Sequence, residues 1–216
     1  MKTKLLKIAC LLAAAIFAGG CPSTGIYSKV KPAYDLSADK TKKVLIWVES
    51  PRSAAADPDA ADRLAEAIRD HLVAKAGIAP DNVLLARDSA GSAGAALVTP
   101  DAAALHAGAA TALFVRIEEY ELLPMSLPNY YSGKMVTRSV LLDAQTGQSL
   151  WPLMTEGKVH DIVIELGKGD RQTILSRLTA GSAHCVLRNL YPITKLHYKY
   201  SDERVSLQEA FEQETF

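Results

Sequence analysis

The chain has no charge bias: 24 basic and 24 acidic residues cancel, which removes any global attraction to nucleic acid. The apolar run Ile8–Phe17 is too short to cross a bilayer, which takes about 20 residues. Signatures of catalysis are missing as well. There is no G-x-S-x-G elbow and no phosphate-binding G-x-x-x-x-G-K-[ST] loop. Gly91-Ser92-Ala93-Gly94 lacks the following Lys-Thr and reads as a loop. The histidines, His71, His106, His160, His184 and His197, are far apart in sequence, and none forms an H-x-x-x-H zinc pair. His160 and Asp161 are neighbours on an expected strand, where successive side chains point to opposite faces. Glu119 and Glu121 share one face of another strand and Glu118 takes the other, a solvated strand end and not a general acid–base pair. Gly167-Lys168-Gly169-Asp170 precedes a helix, so its amides suit an anion; a turn with Asp170 as N-cap explains the same residues. No catalytic residue, metal site or cofactor is expected.

What is present begins with an export signal. Lys2, Lys4 and Lys7 form a positive segment, Ile8–Phe17 has the length of a signal-peptide apolar region, and Ala18-Gly19-Gly20-Cys21 follows. Small residues before the cleavage point let the backbone lie extended in a protease groove. These residues resemble the bacterial lipoprotein signal, with Ala18 where that family usually carries Leu. The resemblance covers residues 1–21. It implies thioether lipidation of Cys21, cleavage before it, and a further acyl chain on the new amine. Pro22 follows where a retained inner-membrane lipoprotein has Asp, so the resemblance implies outer-membrane placement facing the periplasm. Two or more acyl chains, at about 0.8 kcal/mol per buried methylene, make a stable anchor. An ordinary secretory signal with an incidental cysteine is the alternative.

Removing residues 1–20 takes three lysines and no acid, leaving 21 basic residues against 24 acidic, near −3. Cys10 leaves with the signal and Cys21 is lipidated, so Cys185 alone remains and no intramolecular disulfide is available. Cys185 is expected to be a buried structural residue. The fold must stand on its core, and a hydrophobic content of 49% suffices for one.

Residues 21–42, punctuated by Pro22, Gly25 and Pro32, read as a lipidated N-terminus and flexible tether. Residues 43–192 read as a single periplasmic domain, and 193–216 as a polar tail. Lys43–Glu49 is an apolar, partly β-branched run, the pattern of a buried strand. Asp57-Pro58 signals a helix start, Ala61, Leu64, Ala65, Ile68 and Leu72 recur at helical spacing, and Gly77 marks the stop. Asn82–Ala86 is a second strand. Thr99-Pro100 opens a short helix that ends near Gly108, and Thr111–Leu122 is a long strand. After a proline-rich loop ending in Tyr130 and Tyr131, Lys134–Leu142 alternates, with Met135, Thr137, Ser139 and Leu141 on one face. Asp143–Gly147 is a hairpin turn and Ser149–Leu153 the return strand. Lys158–Leu166 is a further strand, and a helix spans Asp170–Leu190, stopped by Pro192. The expected fold class is α/β (α+β): a β-α-β-α-β core, an antiparallel hairpin and a C-terminal helix in a layered sheet.

Residues 102–122, Ala-Ala-Ala-Leu-His-Ala-Gly-Ala-Ala-Thr-Ala-Leu-Phe-Val-Arg-Ile-Glu-Glu-Tyr-Glu-Leu, and residues 136–151, ending Leu-Asp-Ala-Gln-Thr-Gly-Gln-Ser-Leu-Trp, resemble the helix-to-strand passage and hairpin of a group of envelope lipoproteins. That group includes the curli-secretion lipoprotein, the lipoprotein activators of peptidoglycan synthases and the N-terminal domain of the Tol-system propeller protein. The resemblance covers residues 43–190 and transfers no site residue. It implies a non-catalytic interaction domain serving a secretion, transport or cell-wall assembly, with an envelope protein as partner. Tyr130 and Tyr131, aromatic residues beside a proline-rich loop, are the candidate partner contacts; Tyr120 and Trp151 fit either that surface or the core. A lipid- or small-ligand-binding carrier and a hydrolase with scattered residues are the competing readings.

Overall fold

The computed structural model describes residues 29–50, 59–89, 99–153 and 156–194. Strand β2 (Val44–Glu49) lies second from one edge of its main sheet; β1 (Lys29–Val30) lies outside that sheet. Strand β3 (Val83–Leu85) and strand β4 (Thr111–Pro124) flank β2, both parallel to it. Strand β5 (Tyr130–Asp143) runs antiparallel to β4 and carries two neighbours on its far side. Strand β6 (Ser149–Trp151) pairs with Leu141 and Leu142, and strand β7 (Lys158–Lys168) pairs with Tyr130–Ser139. Helix α1 (Ala60–His71) links β2 to β3. A short helix α2 (Ala86–Ser89) and helix α3 (Pro100–His106) lie between β3 and β4. Helix α4 (Arg171–Leu187) follows β7, and β8 (Ile193–Thr194) closes on β1. This is the mixed α/β layered sheet that the alternation of patterns leads one to expect.

Each layer follows from local chemistry. In α1, Ala60, Leu64, Ala65 and Ile68 fall on one face and are buried. The helix continues as a π turn, Leu72–Ala76, and Gly77 at φ 68° ends it in the left-handed conformation that a residue lacking Cβ adopts without strain. In α4, the Asp170 carboxylate accepts the Thr173 amide at 2.7 Å, satisfying one orphan donor of the first turn. The Thr173 hydroxyl first, and then this amide, hold the Asp170 carboxyl below its ordinary range. Helices α1 and α4 cover one face of the sheet, where Val44 and Ile46, Leu113, Val115 and Ile117, Met135 and Leu141, and Ile162 and Ile164 point inward. Burying each such side chain contributes about 1.5–3 kcal/mol. The opposite face is thinner: α3 covers only its lower end, through Ala104 against Leu45, Ala112 and Ala144.

Four sequence expectations are corrected. The stretch taken as tether packs on the domain from Lys29 onward. The amides of Ala33 and Tyr34 donate to the Asn189 carbonyl at 2.9 and 3.2 Å, and Val30, Tyr34 and Leu36 lie against the core. Their irregular spacing follows neither the helix nor the strand period, so prolines and polar residues dominated the pattern. The domain likewise runs past residue 192, since Ile193 is buried in β8. Tyr130 and Tyr131 open β5 and do not end a loop. Finally, a β-bulge between Ile117 and Glu119 shifts the alternation. Glu118 pairs with Arg138 and Glu119 with Lys134, so both carboxylates face outward. Residues 1–28, including the export signal, Cys21 and the rest of the expected tether, lie outside the described residues, as do the expected helix start at Asp57-Pro58 and tail residues 195–216.

Helix α4 approaches the sheet where the strands have no side chain. A Cβ on Gly133 would stand 2.6 Å from Leu178 Cδ1, and Leu178 is fully buried with nowhere to move. Gly181 on α4 has its nearest neighbour, Ile162, at 3.4 Å, ordinary contact. Gly133→Ala is therefore expected to cost about 1–3 kcal/mol by overpacking. Gly181→Ala is expected to be neutral or to stabilise by up to about 1 kcal/mol through helix propensity. Urea midpoints of the two variants check the pair.

Candidate functional site

The tyrosines singled out from the sequence, Tyr130 and Tyr131, sit at the turn end of the β4–β5 hairpin. The Met125 amide donates to the Tyr130 carbonyl at 2.9 Å, and the Tyr130 amide to Leu127 at 3.3 Å. Asn129 takes φ 60°, a conformation its short amide side chain tolerates, and its carbonyl accepts the Gly169 amide at 2.9 Å. The turn is thus braced against the end of β7. Tyr131 and Tyr120 are half-buried and pack on the main core, whereas Tyr130 is half-buried at the rim. Beyond them, Leu123, Met125 and Leu127 are 55%, 39% and 53% exposed. Trp151, the other aromatic candidate, belongs to the core: it is 7% exposed and stacks on His160 with ring centroids 6.3 Å apart. The exposed leucines and methionine were visible in the sequence but were absorbed into a proline-rich loop.

Two polar clusters lie inside the fold. Ser139 Oγ and His160 Nε2 are 3.1 Å apart, a spacing that suits a nucleophile and its base. Both residues are buried, at 0% and 4% exposure, between β5, β7 and Trp151. A substrate carbonyl has no approach to that hydroxyl, and Asp161 faces the other side of the sheet from His160. The pair satisfies polar groups in the core.

The second cluster joins residues that the sequence leaves far apart. His71 at the end of α1 meets His184 of α4 edge-on, with ring centroids 5.7 Å apart, and Tyr191 with centroids 5.6 Å apart. Burial pushes the Tyr191 hydroxyl up to about 12, so it stays protonated and is placed to donate to His71 Nε2, 2.8 Å away. Burial first, then the neighbouring His184 and Lys75, lower the His71 imidazole to about 3. Nothing in the spacing of positions 71, 184 and 191 signals this contact.

Among the described residues no group of three or more His, Cys, Asp or Glu side chains is arranged to hold a metal ion. No described helix is long and apolar enough to cross a membrane. Cys185 is buried. A cleft of about 120 Å³ opens at the lower end of the sheet between Tyr34, Asp35, Leu36, Asp39, Lys42 and Ile78. That is small beside the roughly 300–1,000 Å³ of sites that enclose small-molecule ligands. The outer sheet face carries ion pairs, Arg116 with Glu49 at 3.4 Å and Arg138 with Glu118; the Arg116 guanidinium also lies 5.5 Å from the Phe114 ring centroid.

No protein-family model matches the chain, and no curated protein matches it. Solved structures do. The PelC dodecamer from Paraburkholderia phytofirmans is 15% identical, with 76% of this chain and 93% of that one covered, at a TM-score of 0.41. Lipoprotein GNA1162 from Neisseria meningitidis is 19% identical, covering 66% of this chain and 96% of that one, also at 0.41. Likeness at this level assigns neither family nor role.

His71 makes stability depend on pH in a window of its own. Its imidazole is neutral in the fold down to about pH 3, whereas the unfolded chain takes up a proton near the ordinary value of 6.5. The unfolded state therefore binds more protons between those limits, and stability is lost as pH falls below 6.5. The loss is expected to reach about 2 kcal/mol at pH 5, above the range in which Asp143 and Asp170, both held low, titrate. Denaturant midpoints from pH 7.5 to 5 should fall in the native protein and flatten in His71→Gln.

Proposed function

We propose that this chain is a lipid-anchored protein of the bacterial cell envelope whose α/β domain serves as a non-catalytic interaction module. The observation that carries this reading is the opening segment: three lysines, a short apolar run and Ala18-Gly19-Gly20-Cys21. Two features of the fold support it. The sheet is closed by helices on one face, and the one serine–histidine pair described above is sealed in the core. The hairpin end displays apolar side chains at the surface instead. The cleft by Tyr34 is too small to favour a carrier of drug-sized ligands. We place the anchor in the outer membrane facing the periplasm because Pro22 follows the cysteine. A partner protein within an envelope assembly completes the reading, with Tyr130 at the rim of its contact surface.

Mass spectrometry of the N-terminal peptide from the membrane-purified protein tests the anchor. A diacylglyceryl thioether on Cys21 with an acylated amine is the expected result, and Cys21→Ser should leave the protein unprocessed and without lipid. A soluble, unmodified chain beginning elsewhere would sink the proposal.

A further inference from the structure

A short strip of chain fastens the N-terminal stretch to the domain. Strand β1 pairs with β8 over two residues, Lys29 with Thr194 and Val30 with Ile193. The Asn189 carbonyl accepts the Ala33 and Tyr34 amides, and the Leu190 carbonyl accepts the Leu36 amide at 2.9 Å. Val30, Tyr34 and Leu36 are only half-buried against the core. So few bonds over so little buried surface put this pairing at the low-stability end of the fold, where segments open without the rest unfolding.

Tyr191 follows directly on the two residues that hold the stretch, and its hydroxyl lies 2.8 Å from His71 Nε2 at the end of α1. A neutral imidazole nitrogen accepts that hydroxyl's hydrogen; an imidazolium has no lone pair with which to accept it. Around His71 stand His184 from α4, Tyr191 from the strip and Lys75 from the π turn that follows α1. Arg188, also buried, lies one turn past His184. None of these is a carboxylate that would offset a proton on the ring.

We propose that the pairing of residues 29–36 with 189–194 is an acid-released clasp, with His71 as the group whose protonation opens it. Opening takes Tyr191 off His71 and lets the imidazole charge in water, so a proton favours the open form. The ring stays neutral down to about pH 3 in the closed fold, against an ordinary value of 6.5. The opening constant therefore rises by up to about 30-fold between pH 7.5 and 5. Under the lipid-anchor reading of Cys21, release changes how far the domain stands from its membrane. Closed, eight peptide steps join Cys21 to Lys29, a reach of at most about 26–29 Å. Open, a further hold is the Lys40 carbonyl, which accepts the Asn82 side-chain amide. That hold is nineteen steps from Cys21, a reach of at most about 63–68 Å.

Hydrogen–deuterium exchange of the full processed protein in detergent tests the clasp, with each rate divided by the intrinsic rate at that pH. At pH 7.5 the peptide over residues 29–36 is expected to be less protected than residues 111–117 of β4. Urea below the unfolding transition should leave it unmoved, the mark of a local opening that exposes little surface. At pH 5 its protection is expected to fall by up to about 30-fold, and to stay level in His71→Gln. Tyr191→Phe keeps the ring, removes the hydroxyl and should lower the protection of residues 29–36 at pH 7.5. Protection of 29–36 that matches 111–117 and falls with it in urea overturns the proposal, since the stretch then opens only with the whole fold. An acid-induced loss that persists in His71→Gln, or unchanged protection in Tyr191→Phe, overturns it as well. The anchor stands or falls separately, on the mass of the N-terminal peptide.

Discussion

The packing of α4 against the sheet is the constraint on which the rest of this structure depends. From Ser182 to Arg188 every residue of that region is buried, because the sheet lies on one side, α1 on another, and the residue 29–36 stretch closes over its end. A helix buried nearly all round must meet close neighbours everywhere. Gly133 and Gly167 supply the room on the sheet side, each letting an α4 side chain stand where a Cβ would be. His71 and Tyr191, drawn inside with the helix, pair with each other. The same packing holds the start of β5 and the end of β7 together, and so carries the hairpin tip on a rigid base.

Much of this was legible from local pattern. The parallel β2, β3 and β4, the stop at Gly77, the helix start at Thr99-Pro100 and the cap at Asp170 each rest on residues within a few positions of one another. So does the alternation along β5, where Met135, Thr137, Ser139 and Leu141 are all buried as their spacing requires. What stayed hidden depends on distant residues. The bulge at Glu118 is set by pairing with β5, and it brings Glu118 to the face that also carries Glu119 and Glu121. The pairing of β1 with β8 joins Lys29 to Thr194, and neither dipeptide has a pattern of its own. The His71–His184–Tyr191 cluster likewise exists only once α1 and α4 are side by side.

The correction to the N-terminal stretch changes the functional picture more than the others. A tether running to residue 42 would let the domain stand well clear of a membrane. With Val30, Tyr34 and Leu36 committed to the core, that slack is gone. Under the proposed anchor on Cys21 the domain is held close to the membrane surface, with an uncharged apolar turn at one end of its sheet and ion pairs across its bare face.

The most direct test of this account is the height of the domain above the bilayer, measured by neutron reflectometry of the processed protein on a supported membrane. The account predicts a protein layer that begins within the roughly 29 Å of the headgroups that eight peptide steps can span. A hydrated gap wider than the roughly 29 Å that eight peptide steps can span, or no retained protein layer at all, would contradict it.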